Sequence, residues 1–169
     1  ATDQIVIESW SSSDVYQFEI FAFADGSSLT KTQLNQMGNV LYGTDGVDTL
    51  TGWSDGGTIL GLAGNDTLTG GAGYDQLDGG SGNDTYVFSA GDGGDTINEG
   101  MFSPETGGFD TVKLLNGFDP ANLWLWRMGD DLTLQSLASG EHITVREHYN
   151  PNGQSAIEQI TFADGTIWN

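Results

Sequence analysis

The sequence predicts an all-β chain: a central solenoid of short stacked strands, with antiparallel β segments on either side. Three observations lead there. Glycine and aspartate recur in phase at a nine-residue period through "GLAGNDTLTGGAGYDQLDGGSGNDTYV", Gly61 to Val87. Each unit joins a glycine-rich half to a β-branched, apolar half, and alternating apolar and polar residues take over after Leu114. Fixed self-similarity of this kind decides architecture before any local propensity does.

The chain opens with residues 1–33, where "YQFEIFAFADGSSLT" aligns with "SAIEQITFADGTIWN" near the end. Glu19 then meets Glu158, and Phe23-Ala24-Asp25-Gly26 meets Phe162-Ala163-Asp164-Gly165. This longer repeat reads as the tail of one module followed by a complete second module, in a piece of a larger chain.

The repeat region, 34–113, holds five contiguous nonapeptides from Gly43 to Val87, a degenerate unit before them (Leu34–Tyr42), and irregular turns Ala90–Asn98 and Glu105–Lys113 after them. The glycine-rich half suits a turn that needs positive φ and close backbone approach. The second half, such as Asp-Thr-Leu-Thr, suits a three-residue strand. Only the eighth place is reliably large and apolar, as Leu50, Leu68, Leu77 and Tyr86 show. One inward side chain per unit cannot bury a strand alone; stacked neighbours can.

The last block, 114–169, reads as an antiparallel meander with turns at Gly129-Asp130 and Ser139-Gly140 and a hairpin about Asp164-Gly165. Trp124 and Trp126 sit two apart on one strand face. The simplest expectation is that they plug the open end of the solenoid; the alternative is a platform for stacking sugars.

Composition bounds the function. Lys+Arg is 4 against Asp+Glu 24, a formal net charge of -20, which argues against nucleic acid and anionic membrane as partners. No apolar run approaches a membrane span. Cysteine is absent, so disulfides and thiolate metal sites are excluded. No nucleophile elbow, P-loop or zinc-protease motif occurs, so no enzyme is expected. His142 and His148 lie on or beside one strand with no obvious third ligand, and are read as exposed strand histidines.

In-phase aspartate beside carbonyl-exposing glycine turns makes an all-oxygen environment. Calcium takes six to eight oxygens in flexible geometry, whereas magnesium demands a rigid octahedron. No lysine or arginine lies between Lys31 and Lys113 to neutralise these carboxylates, so a hard divalent cation, calcium, is the expected ligand.

These residues resemble the repeat-in-toxin (RTX) family of bacterial secreted proteins, whose unit is Gly-Gly-x-Gly-x-Asp-x-apolar-x; Gly79–Val87 (GGSGNDTYV) matches fully. The resemblance implies a parallel β-roll with two units per turn, and calcium between units i and i+2, bound by turn carbonyls and both aspartates. Carried onto this chain, one site takes the carbonyls of Thr44, Gly46, Gly61 and Ala63 with Asp48 and Asp66. The next takes Leu62, Gly64, Gly79 and Ser81 with Asp66 and Asp84. On the other side Gly71, Gly73, Ala90 and Asp92 join Asp75 and Asp95. A weaker candidate joins Asp84 to Asp110 through Gly80, Gly82, Glu105 and Gly107, for three to four ions in all. Gly57 stands where an aspartate belongs, so its shared site with Asp75 is degraded, and no calcium is expected between Asn39 and Gly57.

The resemblance further implies a calcium-dependent folding module of a large toxin, adhesin or exoenzyme, exported by a type I secretion apparatus and joined to neighbouring modules. The rival expectation is a polysaccharide-binding module assisting an enzyme such as an alginate epimerase, with Trp124, Trp126, Arg127 and Arg146 as glycan contacts. Convergence of the Trp pair with Lys113, Arg127 and Arg146 on one face would favour that rival.

Overall fold

The structure, a computed structural model, describes residues 20–22, 28–30, 39–99, 108–150 and 157–169. The chain divides into two compact units, 1–38 and 39–169. In the first, β1 (Ile20–Ala22) pairs antiparallel with β2 (Ser28–Thr30). The expected Phe23-Ala24-Asp25-Gly26 turn lies outside the described residues, as do Glu105 and Gly107.

In the second unit the nonapeptide period becomes a ladder of strands. These are β3 (Val40–Tyr42), β4 (Thr49–Thr51), β5 (Thr58–Leu60), β6 (Thr67–Thr69), β7 (Gln76–Asp78), β8 (Thr85–Phe88), β9 (Gly94–Ile97) and β10 (Thr111–Leu114). Alternate strands pair in parallel, so the chain winds between two sheets. Odd strands β3-β5-β7-β9 build one sheet and even strands β4-β6-β8-β10 the other. This is a parallel β-roll with two units per turn.

A 3-10 turn at Pro120–Asn122 leads to β11 (Leu123–Met128), β12 (Asp131–Ser136), β13 (His142–Val145), β14 (Gln159–Phe162) and β15 (Ile167–Trp168). β11, β12 and β13 form the antiparallel meander, and β14 and β15 the hairpin. Both pieces also continue the roll. β13 pairs in parallel with β9, and β14 with β10, so the terminal block adds to each sheet rather than closing it crosswise.

Register defines two inner columns. In the even sheet Leu50, Leu68, Tyr86, Val112, Ile160 and Trp168 stand in line. In the odd sheet the line runs Leu41, Ile59, Leu77, Ile97, Val145, Leu132 and Arg127. From Ile59 and Leu68 onward the apolar members before those two ends are buried in one continuous core.

The ends of these columns correct the expectation for the tryptophans. Trp124 and Trp126 pair with Gln135 and Thr133, on the outer face of the sheet, and Trp124 is 58% exposed. The even column ends instead on Trp168, edge-on to Phe162 at 4.6 Å. The odd column ends on Arg127, whose guanidinium lies over Tyr149 at 4.4 Å. Strand alternation fixes two faces, but which face turns inward is set by the partner strand.

Candidate metal centre

The aspartate of each unit precedes its inward apolar residue by two, so both share the inner face. Pairing therefore stacks carboxylates as it stacks the core. In the even sheet Asp48 N–H donates to Asp66 Oδ1, Asp66 N–H to Asp84 Oδ1, and Asp84 N–H to Asp110 Oδ1, each at 2.8 Å. In the odd sheet Asp75 N–H donates to Asp95 Oδ1 at 3.0 Å. One carboxylate oxygen thus ties each layer to the one before, and the second is left for another partner.

Those second oxygens are the informative atoms. Asp66 Oδ2, Asp84 Oδ2 and both oxygens of Asp75 are buried with no hydrogen-bond partner. Asp66 and Asp84 are 1% exposed, and Asp75, Asp95 and Asp110 2%. Burial pushes the carboxyls up, to about 6 for Asp75 and Asp84 and about 7 for Asp95 and Asp110, with neighbouring carboxylates adding to the shift. Asp66 and Asp92 are also raised, again by burial first. An orphaned, ionised carboxylate in such a place costs several kcal/mol (about that order) unless a cation meets it.

The turns make room for one. A β-carbon on Gly79 would collide with the Asp84 carboxylate, and one on Gly61 with that of Asp66. Gly82 has φ 131°, and a β-carbon there would collide with the Gly64 carbonyl. Layers stack so tightly that Leu62 and Ser81 are joined by a backbone hydrogen bond of 2.9 Å, and Gly64 N–H donates to Ser81 O at 2.8 Å. Hard oxygen donors, orphaned charge and a side-chain-free cradle together fit calcium.

The other carry-over residues fall on these turns. Thr44 and Gly46 lie on the exposed first turn, where Thr44 N–H and Oγ1 both donate to Asp48 Oδ2. Ala63 bridges to Ser81, and Gly73 to Gly93. Gly73, two residues after Gly71, donates its N–H to Asp92 O at 3.0 Å, and Asp92 Oδ2 accepts from Ser89 N–H at 2.7 Å, whereas Ala90 N–H donates to Asn116 O, just past β10. At the degraded position Gly57 offers backbone alone, and its carbonyl accepts from Gln76 N–H at 2.8 Å. Asp55 nevertheless lies near enough to raise the Asp75 carboxyl by charge.

Three acids were not singled out in the sequence. Glu158 extends the even column: its Oε2 accepts from Asp110 N–H at 2.7 Å, as each aspartate does for the layer below. The Glu19–Glu158 match in the long repeat was its one sequence signal. Glu141 accepts from Gly91 N–H at 2.7 Å and raises Asp92 and Asp95 by charge. Glu99, following β9, gathers with Asp84 and Asp110 so that one oxygen of each lies within 4.8 Å of the others. On the odd side Ile143 occupies the next ladder position after Asp95, so that column of carboxylates stops.

The residues expected to contact glycan are dispersed. Arg127 pairs with Asp130 at 3.0 Å and Arg146 with Asp131 at 3.4 Å. Lys113 lies on β10, in the other sheet from the Trp pair. The two tryptophan rings stand 5.5 Å apart, tilted by 57°. His148 Nδ1 accepts from Ile157 N–H, and burial holds its imidazole below the usual range.

Comparison with known families agrees with this geometry. A model described as RTX calcium-binding nonapeptide repeat (4 copies) matches residues 35–56 and 54–86. Another, the haemolysin-type calcium binding protein related domain, matches 1–33 and 131–169. No curated protein matches the chain. Among solved structures it is similar to the extracellular lipase LipA from Serratia marcescens, at 26% identity over 63% of this chain, with a TM-score of 0.34. The chain spans 18% of that lipase chain.

Proposed function

We propose that the chain, which matches RTX calcium-binding nonapeptide repeats over 35–86 and the haemolysin-type related domain over 1–33 and 131–169, is a calcium-operated folding switch and spacer within a larger secreted protein. The observation that carries this reading is the buried carboxylate ladder with its orphaned oxygens. A domain's net stability is about 5–15 kcal/mol. Several uncompensated buried carboxylates, at several kcal/mol each (roughly), are enough to abolish it.

At cytosolic calcium the ionised ladder and a net charge of -20 therefore favour the extended chain, which can thread an export channel of the type I kind. Outside the cell, millimolar calcium binds the folded form alone. Bound calcium supplies the positive charge that the ladder lacks, and its binding energy becomes folding energy. The pairs Asp48–Asp66, Asp66–Asp84, Asp84–Asp110 and Asp75–Asp95 give four steps for ions. The module itself is non-catalytic in this reading, and its partners are calcium and the neighbouring modules.

Far-UV circular dichroism in excess chelator and in millimolar calcium tests the switch. Strand signal should appear only with calcium. A full β spectrum in chelator at neutral pH, with no gain in melting temperature on adding calcium, would overturn it.

A second reading, glycan binding, has one observation behind it. The outer face of β11 to β13 presents Trp124, Trp126, Gln135, His142 and Thr144 in register, with Tyr74 and His142 rings both over Gly94. Quenching or a blue shift of tryptophan emission on adding uronate oligosaccharides would support it; no change up to millimolar sugar would remove it.

A further inference from the structure

We propose that Glu99 is a calcium ligand, making with Asp84 and Asp110 a three-carboxylate site that is the tightest in the chain and fills first. The proposal rests on the calcium-switch reading and adds to it a residue outside the nonapeptide pattern. Glu99 is 5% exposed, and its Oε2 accepts from Gly80 N–H at 3.2 Å, inside the turn of the Asp84 unit. It arrives from the end of β9, in the odd sheet, and reaches the even column.

The independent pointer to a ligand is Asp84. Its Oδ1 is taken by Asp66 N–H, while its Oδ2 is buried without a partner, in the group that Glu99 and Asp110 complete. The Asp110 Oδ1 is likewise engaged by Asp84 N–H. Asp78 lies close enough for its charge to act on both Asp84 and Glu99, so it adds negative potential at the site. The nearest basic residue in sequence, Lys113, is exposed on β10.

The chemistry of the place explains why a glutamate serves. In sequence the unit that carries Asp110 begins Glu105-Thr106, where a regular unit begins with two glycines. A longer acid from the opposite sheet supplies an oxygen and a full charge. Calcium affinity rises with the number of charged ligands, so three carboxylates outrank two. The same site adjoins Glu158, which holds Asp110 N–H, so filling it fastens the terminal block to the roll.

Calorimetric calcium titration of the whole chain tests this, comparing wild type with Glu99→Gln and Glu99→Asp. Gln keeps an oxygen for Gly80 N–H and removes the charge; Asp keeps the charge and withdraws the oxygen. If Glu99 is a ligand, both should weaken the highest-affinity step by at least about tenfold. Were Glu99 only a buried charge, Gln would tighten calcium-coupled folding and Asp would leave it unchanged, and either result overturns the proposal. Should Glu99→Gln not fold in saturating calcium, the Asp variant decides alone. Wild type that takes up no calcium would instead sink the switch reading itself.

Discussion

Neutralising Asp66 should cost more calcium affinity than neutralising Asp75, and the structure sets the ratio. Asp66 stands between two carboxylate neighbours: it accepts from Asp48 N–H and donates its own N–H to Asp84. Asp75 has Asp95 on one side and Gly57 on the other. Asp→Asn keeps an oxygen for the ladder bond and removes one charge. Losing one carboxylate from a two-carboxylate step weakens it roughly tenfold, or about 1.4 kcal/mol. Asp66→Asn therefore loses about 2.8 kcal/mol over two steps, and Asp75→Asn about 1.4 kcal/mol over one. If the four steps fill together with folding, each ion carries a quarter of that loss. The midpoint should then rise about threefold for Asp66→Asn and just under twofold for Asp75→Asn, by mass action. The assay is far-UV dichroism in calcium-buffered solutions at fixed ionic strength, since a chain of charge -20 responds to salt as well. An equal or larger shift for Asp75→Asn would refute the ladder assignment.

Without calcium, the fold should be an acid form. Asp75 and Asp84 ionise in the folded state at about 6 and Asp95 and Asp110 at about 7, above the ordinary 3.8. Between those values the folded chain holds more protons than the unfolded one, so stability falls as pH rises through this window. Chelator-treated protein should show strand signal at about pH 4.5 and lose it by about pH 7.5, and the opposite trend would contradict burial of the ladder. With calcium present, the midpoint should rise as pH drops below about 7, because protons compete for the same oxygens. Truncation after Asn116 leaves β10 intact, with β9 and β10 still paired to β7 and β8, but it removes their outer parallel partners β13 and β14 and takes Leu134, Ile143, Val145 and Phe162 from the core. That chain should aggregate or stay unfolded at saturating calcium, which size-exclusion chromatography reads; cooperative folding at an unchanged midpoint would refute a capping role. Trp168→Ala should lower stability in calcium by about 2 kcal/mol by urea denaturation, and Trp124→Ala by less than about 0.5 kcal/mol. The reverse order would put the wrong tryptophan at the column's end.

Period made the roll legible. Nine-residue phase placed Asp66 and Leu68 on one face, and stacking at i+2 gave the parallel ladder from two units per turn. The sequence after Leu114 showed its antiparallel hairpins through local alternation and turns. It did not show that β13 and β14 also join β9 and β10 in parallel, because such pairing leaves no local pattern. The same gap hid Glu158 and Glu99. Each is an acid at no repeated phase of the nonapeptide, brought to the even column only by register. Trp124 and Trp126 were conspicuous, yet their partners Gln135 and Thr133 turn them outward, while Trp168 is the column's last member among the described residues. Apolar character marks a candidate cap; only the neighbouring strand decides which candidate faces in.

The ladder as the calcium ligand set is tested most directly by crystallising the chain with calcium and collecting anomalous diffraction. Peaks are expected beside the orphaned oxygens of Asp66, Asp84 and Asp75, at the steps Asp48–Asp66, Asp66–Asp84, Asp84–Asp110 and Asp75–Asp95, with none between Asn39 and Gly57. Calcium found only on exposed acids, with those inner oxygens meeting no ion, would contradict the account.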